Sequence, residues 1–172
     1  NGAITFGNTA TDTVVLSGGN VTINTPGLAD AVTFNSIVNG NFDLILGAAG
    51  ATVFNAAVGG VTPIGDGTGA ALTINSTNTT SFELGLTTAS GITQNIIAGA
   101  ITFKENVTIG AGDTGTTLNG NVVLNGMTFA SDGNVTFGFG TTLSGGDVTI
   151  NTTGAGDNVT FISSVNGNVD LT

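Results

Sequence analysis

The groups in this chain that could carry acid–base or nucleophilic chemistry are few. There are eleven carboxylates and one lysine, Lys104, with no histidine, cysteine, tyrosine or tryptophan. Glycoside cleavage asks least of such a set, since it needs only two carboxyl groups several ångströms apart across the scissile bond. The acids, among them Asp12, Asp30, Asp43, Glu83, Glu105, Asp113 and Asp132, stand almost singly along the chain, mostly beside Gly or Asn. With His, Cys and Tyr missing, the repertoire of general acids and nucleophiles is nearly empty. No catalytic residue is assigned, and the chain is read as a non-enzyme. Lys104-Glu105 reads as a solvated neighbouring pair.

Metal binding has a slightly better case. Gly65-Asp66-Gly67-Thr68-Gly69 and the stretch Gly110 to Gly115 around Asp113 have the Gly/Asp pattern of turns that offer carbonyl and carboxylate oxygens to calcium. Calcium-binding solenoids carry such turns in tandem, whereas each Asp here stands alone. Both stretches are read as turns, with no metal ligand and no cofactor assigned.

The rest of the composition limits the partners. A net charge of −10 with a single basic side chain argues against nucleic acid, where Lys and Arg neutralise phosphates. It equally disfavours docking on an anionic membrane. The longest apolar runs, such as Leu44–Ala51, are far shorter than the roughly 20 residues that span a bilayer, so no membrane insertion is expected. Disorder is countered by the 40% of apolar residues, which recur in short, evenly scattered clusters able to build a core. Absence of cysteine leaves the redox compartment unread. The opening on Asn1, without Met or a basic segment, suggests a processed or excised chain.

The local unit is a triplet with Thr between two apolar residues. Examples are Ile4-Thr5-Phe6, Val21-Thr22-Ile23, Val32-Thr33-Phe34, Leu72-Thr73-Ile74, Ile101-Thr102-Phe103, Val107-Thr108-Ile109, Met127-Thr128-Phe129, Val135-Thr136-Phe137, Val148-Thr149-Ile150 and Val159-Thr160-Phe161. Such alternation is the mark of a half-buried strand, with the flanking residues inward and Thr outward. Turn signals separate the triplets: Ser17-Gly18-Gly19-Asn20, Asn39-Gly40-Asn41, Gly65-Asp66-Gly67, Asn119-Gly120, Asp132-Gly133-Asn134 and Gly154-Ala155-Gly156-Asp157. Strands of about four to six residues with short corners follow, and the chain is read as all-β.

Two architectures suit that reading, a β-sandwich with hairpins and a parallel β-solenoid (β-helix). Repetition favours the solenoid. Asn20–Leu44 returns without a gap as Asp147–Leu171, and most of the aligned positions are identical. Gly2–Gly7 likewise matches Gly133–Gly138, so 1–44 and 133–172 are related blocks of a single repeat domain with divergent coils between. Similar stretches also recur at a shorter interval, as Asn106-Val107-Thr108 and Gly126-Met127-Thr128 do. Laid end to start, Val165–Thr172 and Asn1–Phe6 read VNGNVDLTNGAITF, close to the internal LNGNVVLNGMTF of Leu118–Phe129. Either the chain is a length of a longer array, or copies stack end to end, and neither end shows a polar cap.

The blocks Ala31–Gly60 and Asn121–Phe161 resemble the β-strand repeats of giant bacterial surface proteins, namely autotransporter passengers and filamentous-haemagglutinin-like adhesins. That resemblance implies a right-handed parallel β-solenoid, export to the cell surface and a role in adhesion or fibre formation. The expected partner is then the chain itself, as an end-to-end homopolymer or a longer array, with a host or neighbouring cell surface as a further one.

Two outward features remain. Asn20, Asn75, Asn78, Asn106, Asn134, Asn151 and Asn158 all head glycosylation sequons, but are read as amides that bond from coil to coil. A column of outward Thr, or the local Thr9-Ala10-Thr11-Asp12-Thr13, raises ice binding, and a solenoid groove raises glycan binding. Lack of Trp and Tyr, the usual sugar-stacking residues, weighs against a glycan.

Overall fold

The computed structural model describes residues 2–97, 99–112 and 114–172; Asn1 and Asp113, singled out above, lie outside the described residues. The chain winds through three faces, A, B and C, once per coil. The first coil is β1 (Ile4–Phe6), β2 (Thr13–Val15) and β3 (Val21–Thr25), and the second is β4 (Val32–Phe34), β5 (Ile37–Asn39) and β6 (Leu44–Ala48). In the third, β7 (Thr52–Phe54) and β8 (Leu72–Ile74) flank a longer passage that touches face B only through Val58 and Ile64. Next come β9 (Thr80–Phe82), β10 (Leu86–Thr88) and β11 (Ile92–Gln94), then β12 (Ile101–Phe103), β13 (Val107–Ile109) and β14 (Thr116–Leu118). The sixth coil is β15 (Val122–Asn125), β16 (Thr128–Ser131) and β17 (Val135–Phe137). The seventh is β18 (Thr141–Ser144), β19 (Thr149–Thr152) and β20 (Val159–Phe161), and β21 (Val165–Gly167) opens an eighth.

Each strand pairs with its counterpart one coil away, and every pairing among the described residues is parallel. Face A is thus an eight-stranded sheet from β1 to β21 and face C a seven-stranded one from β3 to β20. The protein is a β-solenoid of about 7 turns, with no helix among the described residues. A sandwich joined by hairpins would need antiparallel neighbours, so the pairing excludes it. Most strands are three residues long, shorter than expected, because the corners also take up chain. The likeness of Asn106-Val107-Thr108 to Gly126-Met127-Thr128 is not the register either: Val107 pairs with Phe129, and Thr108 with Ala130. Gly126 at φ +58 and buried Met127 form a corner there, pushing the strand two residues along.

Inside, the triplets stack in ladders. On face A the third inward position holds Phe6, Phe34, Phe54, Phe82 and Phe103, whose rings lie parallel at 4.7, 4.4, 4.8 and 5.3 Å. Phe129 of face B then meets Phe103 and Phe137 edge-on, at 80° and 66°, and hands the column to a second stack of Phe137 and Phe161 on face C. Each fully buried Phe contributes roughly 1.5–3 kcal/mol. The aromatic pairing adds about 0.5–1.5 kcal/mol per contact. Glycine is required where coils come closest. Gly40 has φ +136, and a Cβ there would strike the backbone of Leu16 in the coil below.

The duplicated block turns alike at its Gly-Gly corner, although Gly7 and Gly40 have positive φ and their equivalents Gly138 and Gly167 do not. Gly18 and Gly19 have φ of 78° and 148°, and Gly145 and Gly146 have 72° and 158°. The two copies do not, however, lie on the same faces. β1 and β4 of the first are on face A, while their equivalents β17 and β20 are on face C; β3 is on face C, while β19 is on face B. The second copy is rotated by one face throughout. The repeating unit is therefore one strand with its corner, and the coil is three such units.

Candidate functional site

Of the carboxylates that looked isolated in sequence, the winding brings several together with partners. Asn20, Asp43 and Asp66 lie at the corner before face C in successive coils and form a column. Asn20 Nδ2 donates to Asp43 Oδ2 at 2.8 Å, the Asp43 amide to Asn20 Oδ1 at 3.2 Å and the Asp66 amide to Asp43 Oδ1 at 3.4 Å. Burial pushes the Asp43 carboxyl above its ordinary value, against the bonds from Asp66 and Asn20 that lower it. Asp66 is exposed, and its carboxyl is held below the usual range by bonds from the Thr68 hydroxyl and amide, at 2.7 and 2.8 Å. One raised and one lowered carboxyl is a pattern used for acid–base chemistry. Here both oxygens of Asp43 are taken up in bonding Asn20 and Asp66, and Asp66 Oδ1 closes its own turn. The arrangement joins coils at a corner. No local motif links these residues in the sequence; the signal was their shared place ahead of the face C strand.

Lys104 does not pair with Glu105. Its ammonium lies 2.6 Å from Glu83 on the coil below, and this bond holds the Glu83 carboxyl below its ordinary value. Both side chains occupy the corner position after the face A strand, which Asn35 and Asn55 fill in earlier coils. Asn55 Nδ2 donates to Asn35 Oδ1 at 2.9 Å. The sequon amides behave similarly: Asn95 Nδ2 reaches Asn75 Oδ1 at 2.9 Å, Asn106 Oδ1 accepts from the Thr128 amide, and Asn134 Oδ1 accepts from the Asn158 amide. Asn78 instead bonds the next amide in its own corner. Among the described residues no three acidic, His or Cys side chains are grouped as metal ligands would be.

Face C carries an outward Thr column of the kind expected from the triplets, and the winding shows which residues form it. Its central outward residues are Thr22, Ile45, Thr73, Thr93, Thr117, Thr136 and Thr160, all in register from coil to coil. Adjacent strands repeat at about 4.8 Å. Thr9 and Thr11, by contrast, sit in a corner and bond one another at 2.9 Å, so that local cluster makes no flat face.

An apolar concavity lies at the C-terminal end. Ile150, Val159, Phe161, Leu171 and Thr172 line this depression of about 170 Å³. It is the place on face C above β20. Among the described residues the eighth coil has its face A strand, β21, and its face B contact, Leu171 bridged to Val148, and has no face C strand. No protein-family model, curated protein or solved structure matches this chain.

Proposed function

We propose that the protein is structural: a length of an extracellular bacterial filament or adhesin whose coils stack end to end. The observation that supports this reading most is the one-face rotation of the duplicated block. A block that recurs on different faces is not tied to one place around the axis, which suits a stack longer than a few coils. The Phe contacts run from Phe6 to Phe161, Asn35–Asn55 and Asn75–Asn95 bond neighbouring coils, and the carboxylate column is consumed in joining coils. Cell-surface placement and a partner on another cell rest on the resemblance to surface-protein repeats. Sedimentation velocity and negative-stain microscopy of the chain over a wide concentration range test the stacking. Fibres of one solenoid width that lengthen with concentration are expected; a single monomeric species throughout overturns it.

The Thr column of face C supports a second reading, ice binding. Its hydroxyls and methyls repeat at the strand spacing on a face whose central outward residues carry no charge. Thermal hysteresis in dilute solution, lost when Thr93 and Thr117 are both replaced by Lys, is the outcome expected of it. Freezing behaviour indistinguishable from an inert protein removes it.

A further inference from the structure

We propose that the corner joining face C to face A is a docking ridge for a second copy of this chain, the two lying side by side and antiparallel about a two-fold axis at Asn121. This pairing goes beyond end-to-end stacking and does not depend on it.

The winding sorts charge around the axis. Asp12, Glu83, Glu105, Asp147 and Asp170 lie between the face A strands and face B, as does Lys104. Asp43, Asp66, Asp132 and Asp157 lie between face B and the face C strands. Among the described residues the third corner, between face C and face A, has one carboxylate, Asp30. It is 7% exposed and accepts the Gly27 amide of its own turn at 3.2 Å. The central outward residues of face A are Thr, Val, Ser and Asn, and like those of face C they carry no charge. Two copies with a net charge of −10 repel one another at face B, and meet without opposed carboxylates only across the opposite corner. A cationic partner is drawn to the borders of face B instead, so the occupant that this pattern steers to the ridge is a like-charged copy.

Large apolar side chains project from that corner. Ile97, after β11, is 58% exposed, and Phe139, after β17, is 46% exposed. Between them lies the short corner Asn119-Gly120-Asn121 after β14, which puts no large apolar side chain on the ridge. Leu28 and Ile162 project from the same corner in the first and seventh coils. Ile97 and Phe139 thus stand one coil on either side of Asn121, about 10 Å apart. An isologous contact needs a surface that matches itself when turned over, and this spacing does so. With the two-fold axis at Asn121, Ile97 of each copy meets Phe139 of the other. The exposed Asn121 amides, each both donor and acceptor, bond across the axis. Face B of each copy then points away from its neighbour.

Cross-linking reads the axis, because the chain has no cysteine. Asn121→Cys puts a thiol beside its own copy, whereas Thr108→Cys puts an exposed one at the centre of face B. Under mild oxidation of concentrated protein, Asn121→Cys is expected to give at least about ten times more disulfide dimer than Thr108→Cys. Adding Phe139→Asp or Ile97→Asp to Asn121→Cys is expected to cut that yield about tenfold with circular dichroism unchanged, since each buries an unpaired carboxylate. Equal yields from the two single-cysteine variants, no dimer from either, or a yield that both added substitutions leave unaltered overturns the pairing. Phosphatidylcholine vesicles identify a different occupant: wild type that floats with them, Phe139→Asp that does not, and no Asn121→Cys dimer assign the ridge to a neutral lipid surface and overturn the pairing. Fibres without the Asn121→Cys cross-link overturn the pairing and leave stacking intact; the cross-link in a chain that forms no fibres does the reverse.

Discussion

Phe34 and Phe161 occupy the same position in the two copies of one sequence, and they live in different surroundings. Phe34 is fully buried, with Phe6 stacked at 4.7 Å on one side and Phe54 at 4.4 Å on the other. Phe161 has Phe137 at 4.8 Å on one side and open space on the other. Val38 and Leu44 are fully buried, whereas their equivalents Val165 and Leu171 are 37% and 40% exposed. The Gly-Gly corner angles and the parallel strand pairing are shared, so the local sequence sets much of the shape of a unit. Burial is determined by the next coil. In a solenoid these two are separable, because each unit touches only its neighbours.

The comparison is broken most sharply by truncating the two rings. Phe34→Ala is expected to cost about 3–5 kcal/mol, the usual range for a buried Phe. Phe161→Ala in the monomer should cost less than half of that, as measured by urea unfolding of both variants. Equal losses would mean that the end is as tightly packed as the body.

Next in size is the corner column, which carries Asp over Asn in the first copy and Asp over Asp in the second. Asn20→Asp removes an amide bond to a carboxylate, worth about 1.5 kcal/mol. Its pH dependence has a definite sign. Burial raises the folded Asp43 above 3.8, so the folded state holds a proton that the unfolded state has released. Stability therefore falls as pH rises from 3.8 through the folded value. Urea unfolding should show this slope in the wild type and a steeper one in Asn20→Asp. Asp43→Asn should flatten it. Asp147→Asn, which makes the second copy resemble the first, should change monomer stability by less than about 1 kcal/mol.

Smaller again is the effect of an inward hydroxyl. The Oγ atoms of Thr52, Thr80 and Thr141 on face A are buried with no hydrogen-bond partner. Thr80→Val removes a desolvated polar group and is expected to stabilise by about 1 kcal/mol, whereas Thr160→Val, on the outer side at the open end, should be neutral. The thermal midpoints of the two variants separate them. Least of all is Lys104→Met. Glu83 and Lys104 are partly exposed, and loss of their bond should cost no more than about 0.5 kcal/mol near neutral pH. Because the pairing lowers the Glu83 carboxyl, that contribution is present above 4.5 and fades as pH falls through the lowered value.

The all-β solenoid was legible in the sequence because the triplet Ile4-Thr5-Phe6 and its relatives state both the strand period and the inward residues. The same triplets concealed the register. Val32-Thr33-Phe34 serves face A and Val135-Thr136-Phe137 serves face C, so a triplet does not say on which face it lies. The coils also differ in length: on face A the one that leads from Ile4 to Val32 takes much more chain than the one from Val122 to Thr141. No fixed spacing could then connect Lys104 to Glu83, or Asp43 to Asp66. Thr22, Thr73, Thr136 and Thr160 were visible as outward residues of triplets, whereas Thr93 and Thr117 lie outside that pattern, and the alignment of all six into one column depended on corner lengths that only the winding reveals. The apolar depression above β20 has no sequence signature, since it belongs to a coil with one place unfilled.

The one-face rotation of the duplicated block also bears on how such chains change over generations. If whole coils were the unit, a gene rearrangement would yield a foldable product only when it added or removed an integral number of turns. With a single strand and its corner as the unit, a recombination joint at any of the three face boundaries preserves the inward ladder. Tandem exchange can therefore lengthen or shorten the product in steps of a third of a coil, and each step turns whatever the outer faces display to a new direction around the axis.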